Sequence, residues 1–199
     1  MGFGHHFPAR TWSDDETRDV IQTRDVELCW KERSIGDFAV GLRMGEDKER
    51  PLTNDIGRIL VGEGQEIQIV DGDHYSTIVE AEDRFLKGVE WVGYAGVRDA
   101  TTTSMPERVH GDPELPPWQE MVELRYGVAP EYWGKGIARS AAEAVVQWAV
   151  SERGVKRFIA ETEKENVRSG RVLEKVGFKL SGTDYWKELS EVEWERIVS

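Results

Sequence analysis

Cysteine is nearly absent from this sequence: Cys29 is the single thiol among 199 residues. One thiol excludes an internal disulfide and is typical of proteins that work in a reducing compartment. Apolar runs are also short, and none approaches the roughly 20 residues that a membrane-spanning helix needs. The first ten residues have no apolar signal-peptide core. The sequence therefore predicts a cytoplasmic chain with no membrane partner.

Positive charge is scarce as well. The 26 Lys and Arg residues face 38 Asp and Glu residues, which gives a formal net charge of −12. Such a surface repels phosphates, so nucleic acid is excluded as a partner, whereas amines and basic peptides are favoured. The apolar fraction of 39%, with eight tryptophans, is enough for a hydrophobic core. This length predicts one domain over residues 1–199.

Helical and strand-like patterns alternate along the chain and predict an α/β domain. Ser13 is a candidate N-cap of the first helix, Asn166 caps a later one, and Gly177 ends it. The predicted elements are a helix over 12–32, a strand over 38–44, a hairpin over 66–79 around Asp71-Gly72, strands over 88–99 and 121–128, a helix over 134–152, a strand over 156–163, a short helix after 166 and a last strand over 184–189. Residues 100–119 contain four prolines and are predicted to form a loop.

The stretch VAPEYWGKGIARSAAEAV, residues 128–145, places Gly134 and Gly136 at the start of a helix. A strand, a short loop and glycines before a helix leave free N–H groups near the positive end of the helix dipole, which suits an anion such as phosphate. The nucleotide P-loop and dinucleotide patterns both fail here, since Ile137 and Arg139 stand where those motifs need other residues. The alternative is that the glycines only permit tight packing of strand on helix.

Two motifs at a fixed separation carry a resemblance. YGVAPEYWGKGIA is followed about thirty residues later by ENVRSGRVLEKVGF, and the pair resembles the GCN5-related N-acetyltransferase (GNAT) superfamily. The likeness is closest to the branch that acetylates ribosomal-protein N-termini. It implies a mixed, mostly antiparallel sheet with helices on both faces and a splayed strand pair. Residues 120–180 would form the acetyl-CoA-binding core, and 12–44 the N-terminal part. The insertions at 45–87 and 100–119 would cover the acceptor side or form a homodimer contact.

The resemblance also implies which residues hold coenzyme A. Its pyrophosphate would rest on the backbone N–H groups of Trp133, Gly134, Lys135, Gly136, Ile137 and Ala138. The pantetheine arm would contact the strand residues Tyr126, Gly127 and Val128, and Asn166 would hold the arm or an ordered water. Arg171 would reach a phosphate, although a solvated helix face explains it equally well. Trp133 departs from the family pattern, which has Gln or Arg at that position.

The catalytic residues follow less directly. Glu123 is the expected general base, acting through a water, because relatives place a Glu at this distance before the proline of the turn; the alternative is an ion pair with Arg125. Many relatives use a tyrosine as general acid, but Leu173 stands at that position here. The resemblance then offers Ser169 as the acid, with Tyr185 as a second candidate. Plain helix capping is the alternative role for Asn166 and Ser169.

These expectations combine into one function. The chain is expected to be an acetyl-CoA-dependent N-acetyltransferase, which transfers the acetyl group directly to a primary amine without a covalent enzyme intermediate. Acidic charge and the branch likeness point to a peptide N-terminus, a polyamine or another small cationic amine. No metal is expected. The alternatives are a non-catalytic domain that binds acyl-CoA or coenzyme A as a sensor or scaffold, and a nucleotide-binding protein that uses the same turn.

Overall fold

The computed structural model describes residues 12–43, 58–61, 65–70 and 89–198. These residues divide into two compact units. Unit 1 consists of residues 12–36, 97–123 and 155–198, and unit 2 consists of the described residues of 37–96 together with 124–154. Each unit is described by itself below.

Six strands form one sheet in the order β1-β4-β5-β6-β8-β7. The pair β5–β6 is parallel, whereas β1–β4, β6–β8 and β7–β8 are antiparallel. The strands are β1 (Asp37–Arg43), β4 (Val89–Asp99), β5 (Val122–Val128), β6 (Arg157–Glu163), β7 (Lys179–Leu180) and β8 (Glu191–Ile197), and a separate two-stranded sheet consists of β2 (Arg58–Val61) and β3 (Gln65–Gln68). This is the mixed, mostly antiparallel α/β sheet that the sequence predicted.

Three of the four described helices begin and end close to the predicted positions, whereas the short helix Ala100–Thr103 lies where the sequence predicted a loop, because the Asp99 side chain caps it by accepting from the Thr101 N–H. They are α1 (Asp14–Val20), which continues as a π-helical segment over Ile21–Lys31, α2 (Ala100–Thr103), α3 (Ile137–Arg153) and α4 (Val167–Lys175). The Ser13 side chain accepts from the backbone N–H of Glu16, and the Glu16 carboxylate accepts from the Ser13 N–H, which is a complete capping box. Gly154 and Gly177 adopt the left-handed conformation at or just after the ends of α3 and α4. None of the described helices has the length and hydropathy to cross a bilayer.

Unit 1 contains two ion pairs with one fully buried member each. The Arg98 side chain is 2% exposed and donates to Asp25 at 2.9 Å, which ties the N-terminal helix to the end of β4. The Asp99 side chain is 2% exposed and accepts from Arg33 at 2.8 Å and from the N–H of Thr101 at 3.0 Å. Since a buried charge without a partner is costly, these pairs fix the first helix on unit 1.

Unit 2 is built around α3, whose alanine-rich face is buried. Its buried residues are Ala141, Ala142, Ala144, Val145, Val146, Trp148 and Ala149. The rings of Phe38 and Trp148 meet edge to face with their centroids 5.0 Å apart. The small two-stranded sheet also contacts α3.

Two other predicted elements differ from the structure. Residues 184–189 do not form a strand: the N–H of Trp186 donates to the Glu193 carboxylate at 2.9 Å, and Lys187 has a φ of 59°, so the backbone turns. The last described strand is β8, which begins after that turn and has glutamates at alternate positions. The predicted hairpin over 66–79 is described only up to residue 70; its first part, β3, pairs with β2, and the rest lies outside the described residues.

Candidate functional site

The glycine turn in unit 2 has the geometry of an anion site. Gly134 and Gly136 have φ values of 77° and 81°, and a Cβ added to either would meet nothing within 4 Å. Gly136 is the N-cap of the 17-residue helix α3, and no side chain caps this end. The exposed turn therefore leaves first-turn N–H groups of α3 directed to open space at the positive end of the helix dipole.

Two aromatic side chains hold this turn in place. The indole N–H of Trp133 donates to the carbonyl of Val128 at 2.6 Å, which ties the turn to the end of β5. The hydroxyl of Tyr132 donates to the carboxylate of Glu90, and this hydrogen bond raises the pKa of Tyr132 to about 12. The Lys135 ammonium lies 4.8 Å from the centre of the Tyr132 ring. Trp133, which departs from the family pattern, thus has a structural role here.

The strand that leads into the turn approaches its neighbour closely. A Cβ at Gly93 would come within 2.0 Å of the Gly127 carbonyl oxygen, so only glycine fits there. The N–H of Ala129 donates to the carbonyl of Val92 at 2.9 Å. Gly127 and Val128 are buried, and Tyr126 is half-buried. Backbone contacts between β4 and β5 in unit 2 therefore fix the segment that the sequence assigned to the pantetheine arm.

The parallel pair β5–β6 is short. Its recorded pairs are Val122 with Phe158 and Glu123 with Ile159, both in unit 1. Both strands continue beyond this point, to Val128 and Glu163. In the part of the chain that the structure describes, Glu123 is therefore the last β5 residue with a recorded partner on β6.

Glu123 is buried, with 6% of its surface exposed, and it shares a sheet face with other carboxyl groups of unit 1. Its register partner Ile159 is followed on the same face by Glu161, which lies opposite Glu193 of β8. The Glu161 side chain hydrogen-bonds Glu191, and burial together with that bond raises the pKa of Glu161 to about 9. The charge of Glu123 is one of the smaller contributions to this rise in pKa. A carboxyl group that keeps its proton at neutral pH thus lies beside the expected base.

Sequence reasoning missed this set of carboxyl groups. AETE in β6 and EVEWE at the start of β8 both place glutamates at alternate positions, which indicates one shared face once the two strands pair. The prediction of a last strand over 184–189 leaves EVEWE outside any predicted strand. The alternate glutamates are visible in the sequence, but only the pairing of β6 with β8 brings their side chains onto one face.

Tyr185 lies on this same face. It packs on a buried cluster of Ala100, Met121, Ile159 and Trp186, and the Arg157 guanidinium carbon is 5.7 Å from the centre of its ring. Met105 and Leu115, from the predicted 100–119 loop, pack on this cluster too. The ion pair of Lys187 with Asp112, at 2.9 Å, joins the 100–119 segment to the segment over 184–189. Both segments thus cover the Glu123 face of unit 1.

Asn166 and Ser169 lie on the other face of the sheet in unit 1. Helix α4 packs there, since a Cβ at Gly170 would come within 3.2 Å of Trp194, the neighbour in sequence of Glu193. The Asn166 side chain accepts from the Ser169 N–H at 3.2 Å, so the predicted cap is confirmed. Asn166 and Arg171 both line a cleft of about 240 Å³ between α4 and β8. The structure therefore separates the Ser169 and Glu123 side chains by the sheet.

Within the described residues, the histidine and cysteine side chains form no candidate metal site. His5, His6 and His74 lie outside the described residues, and His110 is exposed. Within residues 12–43, 58–61, 65–70 and 89–198, no group of three or more His, Cys, Asp or Glu side chains has an arrangement that could hold a metal ion. Cys29 is buried. Arg125, the alternative partner of Glu123, forms an ion pair of 3.9 Å with Asp37 in unit 2.

Comparison with known proteins places these features in a family. Residues 71–179, more than half of the chain, match the model of the acetyltransferase (GNAT) domain. Two Bacillus subtilis proteins are similar in sequence: the uncharacterized N-acetyltransferase YnaD is 31% identical over 85 residues, and the uncharacterized N-acetyltransferase YjdG is 34% identical over 71 residues. Each match covers 36% of this chain, and the two cover 50% and 40% of the relatives. The chain thus matches half or less of the length of these relatives.

A solved structure agrees in fold. A putative GnaT-family acetyltransferase from Bordetella pertussis matches with a TM-score of 0.53 and 17% identity, and the match covers 94% of this chain and 79% of that one. At this identity the likeness concerns the fold alone. Together with the match to the domain model, it leads to one conclusion: the chain belongs to the acetyltransferase (GNAT) family.

Proposed function

We propose that the chain is an acetyl-CoA-dependent N-acetyltransferase that transfers the acetyl group directly to a primary amine. The observation that carries this proposal is the glycine turn. Gly134 and Gly136 take a conformation that favours glycine, and they open a long helix with no side-chain cap. Open space above both glycines fits a diphosphate, because a side chain there would fill it.

The cofactor role falls on residues of unit 2. The backbone N–H groups of Trp133, Gly134, Lys135, Gly136, Ile137 and Ala138 would hold the pyrophosphate, and Tyr126, Gly127 and Val128 would position the arm that ends in the thioester. When bound, acetyl-CoA supplies the acetyl group and leaves as a thiol. Trp133 and Tyr132 keep the turn in one conformation through their hydrogen bonds to Val128 and Glu90. A preformed site of this kind reduces the entropy that binding must overcome.

The proton-transfer role falls on residues of unit 1. Glu123 would remove a proton from the amine, through a water, because it is a buried carboxyl group at the last paired position of β5. Ser169 and Tyr185 remain the candidates for protonating the thiolate, and they lie on opposite faces of the sheet in this unit. Asn166 would hold a water or the cofactor arm, and Arg171 a phosphate. The cap that Asn166 forms with Ser169 is compatible with both roles.

The acceptor is a primary amine, and a cationic one is favoured. The charges of Glu123, Glu191 and Glu193 lie near one another on a face that two segments of unit 1 cover, and the net charge of −12 acts in the same direction. The motif likeness to the ribosomal-protein branch favours a peptide N-terminus. A polyamine and a small cationic amine are the other candidates within the same chemistry.

The variant Glu123→Gln tests the proposal. We expect kcat to fall by about 10²–10⁴-fold, the usual contribution of a general base, with acetyl-CoA affinity unchanged. The assay is thiol release with a panel of amines and N-terminal peptides, and calorimetry gives the affinity. The matched control is Glu152→Gln, an exposed position on α3. Cofactor binding without turnover in the wild-type chain would instead identify a coenzyme A-binding sensor or scaffold.

A further inference from the structure

A row of carboxyl groups leads away from Glu123 across one face of the sheet in unit 1. Glu123 pairs with Ile159, and Glu161 follows two residues later on the same face. Glu161 lies opposite Glu193, so its hydrogen bond with Glu191 runs diagonally to the neighbouring strand. Glu123 is buried, whereas Glu161 and Glu191 are half-buried. The exposure of the whole residue thus rises from Glu123 to Glu161 and Glu191, while one carboxyl oxygen of each, Oε2, is buried.

The middle of this row holds a proton at neutral pH. The pKa of Glu161 is raised to about 9, by burial first, then by the hydrogen bond to Glu191 and by the charges of Glu191, Glu123 and Glu193. Those are the charged groups that act on it from β5 and β8. Glu193 is already engaged, because it accepts from the Thr183 hydroxyl at 2.6 Å and from the Trp186 N–H at 2.9 Å. Glu191 is therefore the carboxyl group that hydrogen-bonds Glu161.

Polar atoms with unmet hydrogen-bonding capacity lie in the same part of unit 1. The Trp186 indole N–H is buried in a residue that is 6% exposed, and it has no acceptor within the described residues. Its ring belongs to the buried cluster that contains Ile159. Ile159 is the register partner of Glu123 and precedes Glu161 by two residues on β6. The buried Oε2 of Glu161 likewise accepts no hydrogen bond there. A buried donor and a buried acceptor without partners in this part of unit 1 indicate room for water or a polar substrate group.

The proposed reaction creates a need for such a row. An ammonium group loses two protons when it becomes an amide nitrogen: one is taken up by the thiolate, and the other must reach solvent. Glu123 receives a proton in each turnover, yet only 6% of its surface is exposed. A buried base that cannot pass its proton on would stop after one cycle. An exit from Glu123 is therefore part of the chemistry.

We propose that Glu161 and Glu191 form the exit path that carries this proton from Glu123 to solvent. The inference rests on the proposed function. Glu161 passes its own proton to Glu191 along their hydrogen bond and accepts the proton of Glu123, through a water; Glu191 then releases a proton to solvent. One O–H bond forms for each that breaks, and no electrons are gained or lost. Glu161 and Glu191 act through Glu123 and are thus positioning residues.

Infrared spectroscopy of the full-length chain gives a test that needs no turnover. We expect a carboxylic-acid C=O band at pH 7 that disappears in Glu161→Gln. It should persist in Glu163→Gln, the matched control. Glu163 lies on the same strand and face but is not among the groups that raise the pKa of Glu161. The variant Glu191→Gln removes the other partner and should lower the pH at which the band titrates.

Kinetics then separate proton transfer from a purely structural effect. In Glu161→Gln we expect kcat to fall about 10-fold or more, a part of what acid–base groups contribute, with KM for acetyl-CoA unchanged. A small diffusible buffer base such as imidazole should restore the rate in a concentration-dependent way, and it should leave the wild type unaffected. Glu191→Gln should behave alike, and it provides the same test if Glu161→Gln fails to fold. Glu163→Gln should match the wild type.

The outcomes distinguish this inference from the proposed function. Loss of turnover that buffer does not rescue, an unchanged rate in both Glu161→Gln and Glu191→Gln, or a wild type with no carboxylic-acid band overturns the exit path while the enzyme remains. A wild type that acetylates no amine overturns the proposed function and the exit path together, even if the band is present. Rescue by buffer with the band assigned to Glu161 supports both.

Discussion

The indole N–H of Trp133 donates to the backbone carbonyl of Val128 at 2.6 Å, across the loop that joins β5 to α3. This hydrogen bond closes the loop on the end of the strand and leaves Gly134 and Gly136 as the exposed part of the turn. A glutamine or arginine, which the family pattern has at this position, carries a flexible side chain. The tryptophan offers one rigid donor, and that donor is used within the protein.

Trp133→Phe should therefore loosen the turn. The change keeps an aromatic ring and removes the N–H, so we expect a loss of about 1 kcal/mol in the free energy of unfolding, as for one ordinary hydrogen bond. Affinity for coenzyme A should fall by several-fold because the free turn samples more conformations. Denaturant unfolding and calorimetry measure the two effects. The control is Trp12→Phe, at an exposed tryptophan. Equal affinities in the two variants would show that the bond has no part in binding.

Gly93→Ala should separate β4 from β5 in unit 2. The added Cβ would lie 2.0 Å from the Gly127 carbonyl oxygen, and a backbone atom cannot move aside as a flexible side chain can. Overpacking of this kind costs about 1–3 kcal/mol, and we expect the upper end. Denaturant unfolding gives the free energy. The cofactor affinity should fall as well, since Gly127 belongs to the segment assigned to the pantetheine arm. Wild-type stability in this variant would contradict the close approach.

The raised pKa of Glu161 makes a prediction about stability and pH. In the unfolded chain this carboxyl loses its proton near pH 4.5, whereas in the folded protein it keeps the proton until about pH 9. Between these values the folded state binds one more proton than the unfolded state, so the contribution of Glu161 to stability falls as pH rises. Glu161→Gln removes this contribution.

Unfolding of the wild type and Glu161→Gln should therefore be compared at several pH values from 5 to 9. We expect the variant to gain stability relative to the wild type as pH rises, and the difference to level off above about pH 9. Glu163→Gln is the control for the loss of one carboxyl group. Parallel curves for the wild type and Glu161→Gln would mean that Glu161 ionises normally in the folded protein.

Local signals in the sequence gave most of the fold. The N-cap at Ser13, the cap at Asn166 and Gly177 after α4 are all chemical features of a few neighbouring residues, and each is confirmed. The prediction of a strand over 184–189 was wrong because Trp186 is buried at a turn and not in a strand. The Glu193 carboxylate fixes this turn by accepting from the Trp186 N–H. Such a contact comes from tertiary packing, which propensity does not encode.

The candidate site likewise has one part that local sequence signals predict and another part that only strand pairing brings together. The glycine turn lies within one short stretch, so its spacing predicted its form. Glu123 was found by its distance from that turn. Glu161 and Glu191, thirty residues apart in the chain, become neighbours only when β6 pairs with β8, and the raised pKa of Glu161 depends on burial after folding. A single sequence does not give that pairing register directly.

The most direct test of the central claim is a calorimetric titration of the wild-type chain with acetyl-CoA and with desulfo-CoA, beside Gly136→Val and Gly111→Val. Both glycines have positive φ values, 81° and 97°, and open space around them, so both variants carry a similar backbone strain of about 1–2 kcal/mol. We predict micromolar binding that survives in Gly111→Val and is lost in Gly136→Val. Absence of binding by folded wild-type protein, or equal binding by both variants, would contradict the assignment of the turn to coenzyme A.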